Sequence, residues 1–193
     1  MVITTRSMTV EEYQDLVHSD PDRMWELYDG QPKEKPGMSW EHLDVAGELA
    51  YLLRRQLDRG EHRVFSEGRV RRPEATIFIP DILVVPTALG GTWRRRPGTP
   101  AIFPEPLPLV VEVWSRSTGD YDVMAKLPIY QQRGDREIWL VHPYEQTLTS
   151  WRRQDDGSYT QEIFRSGQVE AIGLPGVSIQ LDEVFDDALT DDQ

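Results

Sequence analysis

One carboxylate sits where burial would be expensive. Glu112 lies inside the apolar run Leu109-Val-Val-Glu-Val-Trp114, and an ionised group there needs a cation or hydrogen-bond donors. Period-two alternation puts Val110 and Glu112 on one face of that strand and Val111 and Val113 on the other. Asp81 opens a second apolar run, Ile82-Leu-Val-Val85, directly after Pro80. Two carboxylates presented from adjacent strands can hold a divalent metal, for which oxygen ligands are the natural choice. Lys126 follows Glu112 by 14 residues (126 − 112) on a helical stretch. Val123 and Tyr130 at i−3 and i+4 place it beside the apolar face. Each residue also has an ordinary reading: Asp81 as a turn residue, Glu112 as a paired strand carboxylate, Lys126 as a solvent-facing helix lysine. Spacing alone does not establish a site.

The elements that would position these groups can be read from periodicity and breakers. Thr9-Val-Glu-Glu12 has the form of a capping box for a short helix to about residue 18. Strands over 24–28 and 31–35 flank the Asp29-Gly30 turn. The longest helix is expected over 39–58, capped by Ser39 and stopped by Gly60, with Leu43, Ala46, Ala50, Leu53 and Leu57 on its apolar face. Strands are expected over 62–70 and 75–85, then a long loop over 86–108 rich in Pro, Gly and Arg. Strand 109–114 leads through a turn at 115–120 into a helix over 121–133. Val123, Leu127 and Tyr130 should share one face of that helix, and Pro128 should delay or bend it. A strand over 138–141 and a hairpin of 146–152 with 159–164 across Asp155-Asp-Gly157 complete the pattern. Helices flanking a central mixed sheet, with an antiparallel addition at the C-terminal end, define an α/β or α+β fold.

Composition bounds the rest. The 193 residues fit one domain, 38% are hydrophobic, and the acidic stretch over about 181–193 forms a tail to it. No apolar run reaches the length of a membrane helix, no secretory leader opens the chain, and cysteine is absent, so a cytoplasmic protein is expected. The net charge of −12 opposes a polyanionic partner. Local fields oppose that in turn, because the segment from Arg54 to Arg72 holds Arg54, Arg55, Arg59, Arg63, Arg69, Arg71 and Arg72, and Arg94, Arg95 and Arg96 form a second basic cluster. A solvated face explains either cluster equally well.

The ordered strings Met8-Thr-Val-Glu-Glu-Tyr13, Trp25-Glu-Leu-Tyr-Asp-Gly30, Glu41-His42, Pro80-Asp-Ile82, Val110-Val-Glu-Val-Trp-Ser-Arg-Ser-Thr118, Tyr121-Asp122, Lys126 with Tyr130, and Glu137-Ile-Trp-Leu-Val-His-Pro143 resemble the Uma-two family of restriction endonuclease-like proteins. That family is a PD-(D/E)XK branch whose lysine has moved from the second strand to the following helix. The resemblance covers residues 8–145, with a looser match beyond. It implies a restriction-endonuclease-like central mixed sheet and a Mg²⁺- or Mn²⁺-dependent endodeoxyribonuclease, with DNA as substrate and a homodimer to cut both strands. Asp81, Glu112 and Lys126 would be catalytic, the two carboxylates holding the metal. Glu26 and His42 match accessory positions, and a nuclease would need a basic surface for DNA built from Arg69, Arg71 and Arg72 or from Arg94, Arg95 and Arg96. Trp114 stands where the usual motif has its lysine, which makes Lys126 necessary to this reading. Gln31, Ile79, Arg116 and His142 also depart from the common pattern but leave the trio intact.

Two rivals remain at this stage. A non-catalytic binding or assembly module that keeps the fold agrees better with the negative charge. A two-carboxylate glycosidase has nothing beyond the carboxylates to support it.

Overall fold

The structure, a computed structural model, describes residues 6–72 and 75–185. Most of the expected acidic tail therefore lies outside the described residues. The chain opens with α1 (Val10–Ser19), whose Thr9 and Glu12 form the expected capping box. The hairpin β1 (Trp25–Tyr28) and β2 (Gln31–Glu34) follows, then α2 (Trp40–Gln56), with Ser39 accepting from the His42 N–H. Only part of the expected α2 face is buried. Leu43 is 59% exposed, while Val45, Leu49, Leu52 and Leu53 turn inward with Ala50. The stripe is set by what α2 packs on, and the 43-to-57 spacing starts it on the wrong side of the helix.

Both long central strands predicted from sequence are broken. β3 (His62–Ser66) and β4 (Arg69–Arg72) are separated by Glu67, at φ +60°, and Gly68. A Cβ on Gly68 would lie 2.6 Å from the Leu83 side chain, so the turn needs glycine to pass. β5 (Thr76–Phe78) and β6 (Ile82–Pro86) are separated by Ile79-Pro80-Asp81. The breaks send the two hairpin halves into different sheets. β3 pairs with β6 in a six-stranded sheet, and β4 pairs with β5 in a five-stranded one.

The loop over 86–108 contains a 3₁₀ turn (Thr87–Thr92) and the two-residue β7 (Ile102–Phe103), which pairs in parallel with β4. β8 (Leu109–Val113) then lies antiparallel to β6 and parallel to β9 (Glu137–His142). The hairpin β10 (Thr147–Arg153) and β11 (Tyr159–Phe164) extends that sheet, giving the order β11-β10-β9-β8-β6-β3. The other sheet runs β2-β1-β5-β4-β7. A small pair, β12 (Gln168–Glu170) and β13 (Ser178–Gln180), precedes α5 (Leu181–Val184).

Strand alternation sorts the core into two faces. Ile82, Val84, Val111 and Val113 pack toward α2, and Leu83, Val85 and Val110 pack toward Phe78, Phe103 and Tyr130. Tyr13, Leu27, Ile77 and Ile102 form a third cluster, with Val10 and Val17 of α1 against it.

The helical stretch after β8 departs from a regular helix. It runs as α3 (Gly119–Tyr121), a wide turn (Asp122–Lys126) closed by Leu127 N–H donating to the Asp122 carbonyl, and α4 (Leu127–Arg133). Pro128 has no N–H for the ordinary i→i−4 bond, so the five-residue turn sits where the proline forbids a four-residue one. Val123, expected on the apolar face, is 45% exposed. Gly134 closes α4 in the left-handed region at φ +82°.

Candidate active site

The two carboxylates singled out on adjacent strands meet at one end of the six-stranded sheet. The register Ile82↔Val111 places Asp81 at the start of β6 beside the Glu112 end of β8. The Val113 N–H donates to Asp81 Oδ2 at 2.7 Å. His42 Nε2 lies 3.0 Å from the same oxygen, and Lys35 Nζ donates to Oδ1 at 2.7 Å. Burial alone would push the Asp81 carboxyl up. The His42 hydrogen bond and the Lys35 charge outweigh it and hold the group well below the usual carboxylate range. With Asp81 ionised, His42 Nε2 must be the donor, and the buried Nδ1 has no partner among the described residues.

Lys126, which its spacing placed beside the apolar face, is buried to 2% exposure, against the ordinary reading of a solvent-facing helix lysine. Its Nζ lies 3.0 Å from Glu26 Oε1, 3.1 Å from Glu112 Oε1 and 3.1 Å from Asp122 Oδ1. Burial opposes the ammonium form, but Glu112, Glu26 and Asp122 raise the Lys126 pKa well above its ordinary value. The wide turn allows this arrangement, for it points both Asp122 and Lys126 inward. Such turns are frequent at functional sites.

Glu112 is the least compensated member. Burial, aided by the charges of Asp122 and Asp81, pushes its carboxyl up to about 8 despite Lys126 beside it. The Tyr130 hydroxyl donates to the same Oε1 at 2.5 Å. Glu26 is tied to the far side of Pro80-Asp81 through Oε1, which accepts from the Ile79 N–H at 2.9 Å. At the rim, Lys33 lies over the Tyr121 ring, which packs edge-on against Phe78 and Tyr28.

The structure thus brings together Asp81, Glu112, Lys126, Glu26 and His42. It adds Lys35, Asp122 and Tyr130, which sequence reasoning did not place in the site. Asp122 carries a readable signal, standing one helical turn before Lys126. Lys35 carries almost none, as a lysine in a short polar strand end before Pro36.

The arginine clusters fare differently. Arg69 Nε donates to the Tyr13 hydroxyl, and the Arg71 carbonyl accepts from Arg133. Both belong to partly buried β4. Arg94, Arg95 and Arg96 lie exposed in the loop after the 3₁₀ turn.

Donor chemistry and charge fit a hard divalent cation. The cluster offers four carboxylates and the Tyr130 hydroxyl besides the His42 nitrogen. Four carboxylates (Glu26, Asp81, Glu112, Asp122) against two buried ammonium groups (Lys35, Lys126) leave a formal −2 when all are ionised. The side chains as arranged turn to the lysines, and among the described residues no three His, Asp or Glu groups form a ready metal cage.

The family described as "Uma2: Putative restriction endonuclease" matches residues 10–182. No curated protein matches the chain. Among solved structures, a crystal structure described as a putative nuclease belonging to DUF820 from Anabaena variabilis ATCC 29413 is 21% identical. The similarity covers 93% of this chain and 98% of that one, with a TM-score of 0.73, which establishes the shared fold. No helix among the described residues is long and apolar enough to cross a membrane.

Proposed function

The chain belongs to the Uma2 family of restriction endonuclease-like proteins, and from that premise we propose that it is a metal-dependent endonuclease hydrolysing phosphodiester bonds in DNA. The observation that carries this reading is the buried meeting of Asp81, Glu112 and Lys126 at the ends of β6 and β8. Asp81 and Glu112 would hold Mg²⁺ or Mn²⁺, which when bound lowers the pKa of a water and neutralises charge on the scissile phosphate.

The chain's own residues set the rest. Three carboxylates raise the Lys126 pKa, which favours its acting as a fixed positive charge and hydrogen-bond donor over a base. Its role is to orient the attacking water or to meet the negative charge that builds on the phosphate. Lys35, His42 and the Val113 N–H fix the orientation of Asp81. Tyr130 and Lys126 share one oxygen of Glu112 and so fix that carboxylate. Tyr130 and Lys35 are positioning residues, as are His42 and Glu26. The chain would work as one restriction-endonuclease-like domain, and cleavage of both strands calls for two copies.

A second reading, a binding or assembly module without catalysis, is favoured by the net charge of −12. Cleavage of supercoiled and linear DNA with Mg²⁺ or Mn²⁺ separates the two. Wild-type cleavage that is lost in both Asp81→Ala and Lys126→Ala, with folding checked by circular dichroism, supports the nuclease. Absence of cleavage at low salt with either metal, or variants that cut as well as wild type, leaves the module.

A further inference from the structure

One pocket lies away from the carboxylates. It has a volume of about 470 Å³ and sits against Val85 and Pro86 at the opposite end of β6 from Asp81. Val85 lies four positions after Asp81 (85 − 81), roughly 13 Å along a strand. Phe65, Trp93 and Phe103 give it aromatic walls, and Arg63 and Arg94 stand at its sides. The Phe65 and Phe103 rings are nearly parallel, 21° apart in plane with centroids 6.3 Å apart, and Trp93 meets Phe103 edge-on. Phe65 is 41% exposed on β3, the open edge of the six-stranded sheet.

A second depression of about 150 Å³ adjoins the first. It shares Arg63 and Phe65 with it and adds Arg54 and Arg59. Neither lining contains an Asp or Glu. Arg59, Arg63 and Arg94 form no ion pair with a carboxylate among the described residues. In a chain of net charge −12, an acid-free strip with four arginines and an exposed aromatic selects for an anion that carries flat rings.

We propose that this strip binds single-stranded nucleic acid, with a nucleobase stacked in the Phe65–Trp93–Phe103 pocket and the flanking phosphates on Arg54, Arg59, Arg63 and Arg94. Base–aromatic stacking combined with a basic track is how sequence-tolerant single-strand binding is built. Addition of a peptide strand to the β3 edge fits less well. The Arg54 side chain already covers that edge, donating to the Val64 carbonyl and to Ser66 Oγ. The inference does not depend on hydrolysis, because the strip contains none of the carboxylates.

Fluorescence anisotropy with short labelled single strands, in EDTA and at low salt, tests it apart from cleavage. The probes are single-stranded DNA, single-stranded RNA and an abasic DNA strand of equal length. Binding of DNA or RNA that weakens about tenfold in Trp93→Ala or Phe65→Ser, with little change for the abasic strand, is the expected result. Arg63→Ala with Arg94→Ala should weaken all three and lower the salt dependence by roughly one counterion or more. The proposal is overturned if no strand binds, if the abasic strand binds as tightly as the others, or if the variants bind like wild type. It is equally overturned if sedimentation shows a dimer that Phe65→Ser dissociates, since a second copy would then cover the strip. Phe65→Ser changes an exposed side chain, so it still decides the matter if Trp93→Ala fails to fold.

Discussion

Two buried cations on the same helical stretch, one at the end of the wide turn and one at the end of α4, sit in opposite electrostatic settings. Arg133 faces a single carboxylate. Its Nε donates to Asp135 Oδ2 at 3.0 Å, Nη1 donates to the Phe103 and Arg71 carbonyls, and Nη2 to the Glu105 carbonyl at 2.6 Å. Asp135 Oδ1 accepts from the Leu107 N–H at 2.7 Å. One positive charge meets one negative charge and every branch of the fork has an acceptor, so the group staples β4, β7 and the 103–107 segment to the end of α4. Lys126, seven residues earlier (133 − 126), faces three carboxylates with one ammonium group. Burial is equal in the two places; charge balance is not. A balanced buried pair holds chain segments together, whereas an excess of carboxylate is tolerated where another cation or a proton is part of the chemistry.

The contrast can be broken by experiment. The largest effect is expected at the unbalanced cluster, in rate. Asp81→Asn keeps the shape of the side chain but removes its charge, and should lower DNA cleavage per folded molecule by about 10³-fold or more. A smaller loss, measured against the folded fraction, would mean that this carboxylate is no more functional than Asp135.

At the balanced pair the effect should fall on stability. Arg133→Met leaves Asp135 buried without its cation and removes the guanidinium donor from three carbonyls, at a cost of about 3–5 kcal/mol in urea unfolding. Cleavage by the molecules that remain folded should be unchanged. Loss of rate beyond the loss of folded protein would merge the two groups into one.

A third measurement uses pH. The folded-state pKa of Glu112, raised to about 8, lies above its ordinary value near 4.5. Its contribution to stability is therefore fully present below about 4.5 and is lost as pH rises through about 8. Glu112→Gln mimics the protonated form. It should match the wild type near pH 4 and exceed it progressively at higher pH, by on the order of a few kcal/mol at pH 9 in metal-free buffer. Equal stability at both pH values would show that Lys126 and Tyr130 fully compensate the burial of Glu112.

The smallest effect is expected from Tyr130→Phe, which deletes one donor to the ionised form of Glu112. Cleavage that requires ionised Glu112 should then rise with pH along a curve displaced upward by about one pH unit, the equivalent of one lost hydrogen bond of roughly 1.4 kcal/mol. An unmoved curve would assign the pH dependence to another group.

Much of this was present in the amino-acid order. Thr9 and Glu12 specify their capping box, Pro128 and Gly134 mark the bend and the end of the helical stretch, and Asp155-Asp-Gly157 joins its hairpin. The alternation around Glu112 correctly assigns Val110 to one face and Val111 and Val113 to the other. These features rest on contacts within a few residues, where backbone sterics and side-chain period decide the outcome.

What tertiary structure decided begins where separation grows. Strand propensity is continuous over 62–70 and 75–85, yet the glycine at 68 and the proline at 80 divide those stretches between two sheets. Leu43 and Val123 follow helical spacing and still face solvent, because the surface across from each helix selects the stripe. Lys35 reaches Asp81 across 46 residues, and Glu26 shares Lys126 with Glu112 across 100 (126 − 26). No local pattern marks such a pair. Register between β6 and β8, the turn of α2 that brings His42 to Asp81, and the wide turn forced by Pro128 fix them together. The sequence determined which carboxylate could not be ordinary; packing alone determined which cations would answer it.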